Sequence, residues 1–83
     1  MKVIIFGTGN YYRLSKKYID MDQIICFVDN DPKKAGIVLD GKVIMAPDEV
    51  DFTVCDYVLV LVMRYTCILE QLSELGVSKD KIK

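Results

Sequence analysis

Eighty-three residues make one domain with a thin core, because a chain of this size buries only roughly 60–65% of its extended surface. At 52% hydrophobic and 28% charged, the composition is that of a globular chain and argues against disorder. Eleven basic against twelve acidic side chains, with no basic block, argue against nucleic acid as a partner, and the absence of histidine removes the commonest general base and metal ligand.

Lys2–Phe6 opens the chain with an apolar run, Val3-Ile4-Ile5-Phe6, that ends abruptly in Gly7-Thr8-Gly9-Asn10. A short apolar run bounded by glycines predicts a strand buried on both faces. Asn10 is placed to cap the helix that follows. Tyr11, Leu14, Ser15 and Tyr18 share one helical face with Tyr12 and Ile19 beside it, and Arg13, Lys16 and Lys17 fall elsewhere. Ile24–Val28 predicts a second strand, followed by Asp29-Asn30-Asp31-Pro32, a cap and first-turn signal that Gly36 cuts short to a turn. Ile37–Leu39 and Lys42–Met45 flank Asp40-Gly41, a tight-turn signal, and leave no room for a full crossover helix before the third strand. Ala46–Val50 predicts a short helix, and Asp56–Met63 a fourth strand. Tyr65, Ile68, Leu69, Leu72 and Leu75 recur at helical spacing, with Gly76 as the C-cap and Val77–Ile82 leading towards a further strand.

Strands alternating with helical segments predict an α/β fold, an abbreviated parallel sheet in the order 3-2-1-4 with helices on both faces. Its topological switch lies between the first and fourth strands, where ligands bind outside the carboxyl ends. That crevice receives Gly7–Tyr12 and Met63–Tyr65, with Asp29 at the end of the neighbouring strand.

Strand, Gly-x-Gly turn and helix form the opening of a dinucleotide-binding unit, in which bare backbone amides approach a phosphate. Asp29 follows Gly7 by roughly twenty residues, the distance at which an acid accepts from ribose hydroxyls. Tyr12 stands where the last glycine of that fingerprint belongs, so it must point away or push the helix out. The bland alternative is a tight turn with no ligand. Asp29-Asn30-Asp31 suits a ribose, a sugar or a divalent ion, and equally a turn into a capped helix. Arg64 stands at a helix start, against the dipole, which favours an anionic partner. Tyr11, Tyr12 and Tyr65 are able to stack on a base or sugar, whereas Tyr11 and Tyr65 also fit the core faces of their helices. The candidate binding set is therefore Gly7, Thr8, Gly9, Asn10, Tyr11, Asp29, Asn30 and Arg64, with no catalytic and no metal-ligating residue.

Tyr57–Met63, the longest apolar run, is far short of the ~20 residues that span a bilayer, and no cleavage-like site follows the apolar start. A cytoplasmic protein without membrane insertion is expected. Cys26, Cys55 and Cys67 are odd in number, lack Cys-x-x-Cys spacing and read as buried core thiols.

KVIIFGTGN, FVDNDPKKAG, LDGKVIMAPDEV, DYVLVLV and LEQLSELGVSKDKI together resemble the Rossmann-like domain attached to bacterial sugar-nucleotide and surface-polysaccharide enzymes. Such domains front capsule-synthesis dehydratases and sugar acetyltransferases, and accompany glycosyltransferases and methyltransferases. The resemblance covers nearly the whole chain. It implies a nucleotide or nucleotide-sugar site at Gly7, Thr8, Gly9, Asn10 and Asp29, with catalysis in a separate domain. Two functions are carried forward. One is an accessory domain for a nucleotide-sugar or an NAD(P)-type dinucleotide, in a homo-oligomer or attached to a catalytic domain. The other is a structural or oligomerisation module without ligand. A third possibility is the cofactor half of an NAD-dependent sugar-nucleotide epimerase or dehydratase.

Overall fold

Residues 1–83 are all described by a computed structural model. Three apolar runs make the parallel centre of the sheet: β1 (Val3–Phe6), β2 (Ile24–Val28) and β5 (Tyr57–Val60). Between β2 and β5 lie β3 (Val38–Leu39) and β4 (Lys42–Met45). The sheet order is β3-β4-β2-β1-β5, parallel throughout except for the antiparallel β3–β4 hairpin. This corrects the expected four-strand parallel order. The Asp40-Gly41 turn makes the arm before it a separate edge strand, with both residues at positive φ (48° and 85°).

Two helices cover opposite faces. α1 (Asn10–Ser15) brings Tyr12 onto Val3, Ile5, Ile24, Phe27 and Ile44. α2 (Tyr65–Glu74) brings Ile68 and Leu72 onto Ile4, Phe6, Cys26, Val28 and Val58. Val3/Ile5 and Ile4/Phe6 thus serve different faces, the period-two alternation of a strand buried on both sides. A register slip between Val3 and Ile4 lets Ile24 and Phe27 share a face and turns Ile25 towards the surface.

α2 ends in the Gly76 left-handed cap (φ 85°), where the Val77 amide donates to the Leu72 carbonyl at 2.9 Å. Ile82 then bridges Val58 in parallel, so the chain leaves α2 for the outer edge of β5. Ala46–Val50 condenses to a single 3₁₀ turn over Pro47–Glu49.

The α1 face departs from its sequence pattern. Leu14 and Tyr18 are 71% and 81% exposed, Tyr11 is exposed as well, and Tyr12 alone is buried. Nor does Tyr12 point away. Its ring meets Phe27 edge-on, centroids 4.8 Å apart, and its hydroxyl donates to Asp40 Oδ2 at 2.5 Å. The glycine turn enters α1 in a phase that aims the second helical residue at the sheet, and six residues are too few to present a second row. Tyr65 is likewise exposed rather than in the core. Cys26 and Cys55 are buried, and burial pushes both thiols up in pKa, whereas Cys67 on α2 is exposed, against the expectation of a core thiol. No helix is long and apolar enough to cross a membrane.

Candidate functional site

The carboxyl ends of four adjacent strands, β4, β2, β1 and β5, meet in one row. The Gly7 amide donates to the Val28 carbonyl and the Leu61 amide to the Phe6 carbonyl, each at 2.9 Å, and the Asp29 amide reaches the Met45 carbonyl at 3.2 Å. These bonds hold the Gly7 turn between the residues that follow β2 and those that follow β5.

Gly7 is required twice over. Its φ is +118°, and a Cβ built there would lie 2.5 Å from the Leu61 carbonyl oxygen and 2.8 Å from Val62 Cγ1. Gly9 is different, because a Cβ there meets nothing within 4 Å and the residue has ordinary negative φ. Its open side leaves room above the turn.

Thr8 and Asp29 are joined directly. The Thr8 hydroxyl donates to Asp29 Oδ2 at 2.5 Å, and the Thr8 amide donates to the same oxygen at 3.3 Å. Asp29 Oδ1 accepts from the Asp31 amide at 2.9 Å, which shapes the turn after β2. Lys34 completes the cluster, with Nζ 3.1 Å from Thr8 Oγ1 and 3.7 Å from Asp29 Oδ2. Burial alone would raise the Asp29 pKa. The Thr8 hydroxyl, the Asp31 amide, the Lys34 ammonium and the Thr8 amide together outweigh it and hold the carboxyl below its ordinary value. Asp29 is therefore an anion at neutral pH, already oriented by the turn.

The remaining candidates are distributed around this centre. Asn10 does not cap α1. The capping position is Gly9, which has no side chain, and Asn10 Oδ1 instead accepts from the Arg13 guanidinium. Tyr11 lies exposed in the first turn of α1. Asn30 exchanges two amide hydrogen bonds with Gln71 of α2, at 2.9 and 2.8 Å, linking the end of β2 to the helix after β5. Arg64 sits at the residue before α2, exposed and outside both ion pairs of the molecule, Lys16–Asp40 and Lys34–Asp29.

Sequence reasoning missed Lys34 and Gln71. Lys34 is one of two neighbouring lysines in a turn, and a solvated charge is the ordinary reading of such a residue. Gln71 lies 41 positions from Asn30, and no periodicity links them. A cleft of about 310 Å³ lies elsewhere, between Pro47–Thr53 and Leu75–Ser78, where Lys81 donates to the Phe52 carbonyl.

A sheet with four parallel strands, helices on opposite faces and a glycine turn at the switch point defines a Rossmann-like α/β domain. The chain belongs to the family described as C2185-like, N-terminal, whose model matches residues 1–83. Among solved structures it is similar to the UDP-D-quinovosamine 4-dehydrogenase from Vibrio fischeri. The TM-score is 0.65 at 24% identity, covering 92% of this chain and 72% of that one, which establishes a shared fold. No curated protein matches the sequence.

Proposed function

We propose that this domain binds a nucleotide or nucleotide-sugar at the Gly7–Asn10 turn and acts as a non-catalytic accessory unit in sugar-nucleotide or polysaccharide synthesis. The observation that carries the reading is the Asp29 carboxylate, fixed against Thr8 in the same turn that needs glycine at position 7. A ribose over Asp29 would use the carboxylate's remaining acceptor capacity, and the phosphates would lie along the open side of Gly9. Asn10, Tyr11, Asn30 and Arg64 form the rim of the proposed site. The similar fold is that of an enzyme whose name carries a UDP-sugar, so UDP-sugars are the first ligands to test, with NAD(P)(H) as the alternative cofactor class. Assembly as a homo-oligomer or alongside a catalytic domain belongs to the same proposal.

Calorimetry and thermal unfolding with UDP-sugars, NAD(H) and coenzyme A test it. A ligand present at 100 times its Kd raises stability by about 2.7 kcal/mol. Failure of every ligand to stabilise the domain at millimolar concentration would contradict the reading. A ligand-free oligomerisation module draws support from the outer edge of β5, which only Ile82 and Lys83 pair. Light scattering separates the two: a tight dimer without ligand affinity favours the module.

A further inference from the structure

We infer that the domain associates head to tail with further copies of itself, α1 of one copy seating on an apolar groove that the β4–β5 connection leaves open on the next. The inference does not depend on the nucleotide reading. It gives the homo-oligomer part of the proposed function its two surfaces.

The first surface is the outer side of α1 and the 3₁₀ turn Lys16–Tyr18 that continues it. Tyr11, Leu14 and Tyr18 are all exposed there. Residues 3–19 carry three charges, Arg13, Lys16 and Lys17, and all are basic. Lys16 pairs with Asp40, whereas Arg13 and Lys17 enter no ion pair. The face is apolar and cationic together.

The second surface lies on the sheet face that α2 covers. The β4–β5 connection makes two single 3₁₀ turns, Pro47–Glu49 and Phe52–Val54, where a parallel crossover usually lays a helix. They roof only part of the face. Beside them opens a groove of about 230 Å³, lined by Ile25, Val43, Met45, Val50 and Val54, with Asp51 as its one polar residue. Val54 is 51% exposed, and Val38, 66% exposed, stands opposite Val43 in the hairpin and continues the patch. Residues 46–56 carry four charges, Asp48, Glu49, Asp51 and Asp56, and all are acidic. Lys81 reaches this segment, where its ammonium is bound to the Phe52 carbonyl.

Charge selects the pairing. Two α1 faces would bring like cations together, and two grooves would bring like carboxylates together. α1 against the groove sets opposite charges around an apolar centre, with the exposed Leu14 as the projecting residue. One copy cannot join its own two surfaces. Its α1 packs on the face of Val3 and Ile5, whereas the groove opens on the face of Ile4 and Cys26. The contact is therefore heterologous, and it repeats into a ring or an open chain of copies.

Sedimentation velocity over a concentration series tests this on the wild type, Leu14→Asp, Val54→Asp and an equimolar mixture of the two variants. Circular dichroism verifies that each variant keeps its fold, and Val38→Asp replaces Val54→Asp if the latter unfolds. The wild type should grow beyond a dimer as concentration rises, and less so in high salt. Each variant alone should associate about 30-fold more weakly, or worse. The mixture should form a 1:1 dimer and stop, because each variant supplies the surface that the other lacks. A variant that associates like the wild type, or a mixture that stays monomeric, would overturn the head-to-tail assignment alone. A wild type that stays monomeric at millimolar concentration would overturn the homo-oligomer with it and leave the nucleotide reading standing.

Discussion

Gly7 and Gly9 stand two residues apart and face different physics. At Gly7 a Cβ would collide with the Leu61 carbonyl and Val62 from a backbone at φ +118°. Gly7→Ala is expected to cost roughly 2–4 kcal/mol in denaturant unfolding, from strain and overpacking together. Gly9→Ala has open space and negative φ, so its cost should stay within about 1 kcal/mol. Asp29 makes a pH prediction. Its folded pKa lies below the unfolded value of about 3.9, so its stabilisation is fully present above that value and is lost as pH falls through the folded one. Urea midpoints measured from neutral to acid pH should therefore fall less steeply in Asp29→Asn than in the wild type. Asp51, whose pKa is also lowered, acts in the same direction in both proteins and drops out of the difference. At this scale the contact between Asp29 and the Gly7 turn was legible, because adjacent parallel strands of fixed length bring their ends together. Lys34 was not, because a flexible four-carbon stem leaves no trace in spacing.

At the scale of elements, α1 is the instructive one. Its sequence offers an apolar face of Tyr11, Leu14 and Tyr18, and its packing uses Tyr12. One buried aromatic, pinned by Phe27 at its ring and Asp40 at its hydroxyl, holds the helix to the sheet and to the β3–β4 hairpin at once. Burial, followed by the Asp40 carboxylate, pushes the phenol well above its usual pKa, so Tyr12 remains a donor throughout the working range. Tyr12→Phe should cost about 1–2 kcal/mol, and Tyr12→Ala about 3–5 kcal/mol, by chemical denaturation. A cycle with Asp40→Ala should show the Tyr12→Phe effect largely gone. The strands were readable because continuous apolar runs admit few alternatives. The phase of a six-residue helix was not, since two turns give periodicity too little length to outvote the geometry of the turn before it. Likewise the hairpin was readable from Asp40-Gly41, but its first arm's place as a fifth, antiparallel edge strand was not.

Across the whole molecule, the glycine turn, the Thr8–Asp29–Lys34 cluster, the Asn30–Gln71 pair and Arg64 all follow the carboxyl ends of strands. The cleft at Pro47–Thr53 and Leu75–Ser78 is built instead from the connection between β4 and β5 and from the residues that follow α2. On the proposed function, nucleotide binding is expected at the Gly7 end of the sheet. Amide chemical shifts of the whole domain, followed while a UDP-sugar or NAD(H) is titrated, test this most directly. The predicted result is perturbation concentrated at Gly7, Thr8, Gly9, Asn10, Asp29, Asn30 and Lys34. Unmoved spectra at millimolar ligand, or shifts confined to the Pro47–Thr53 and Leu75–Ser78 cleft, would contradict it.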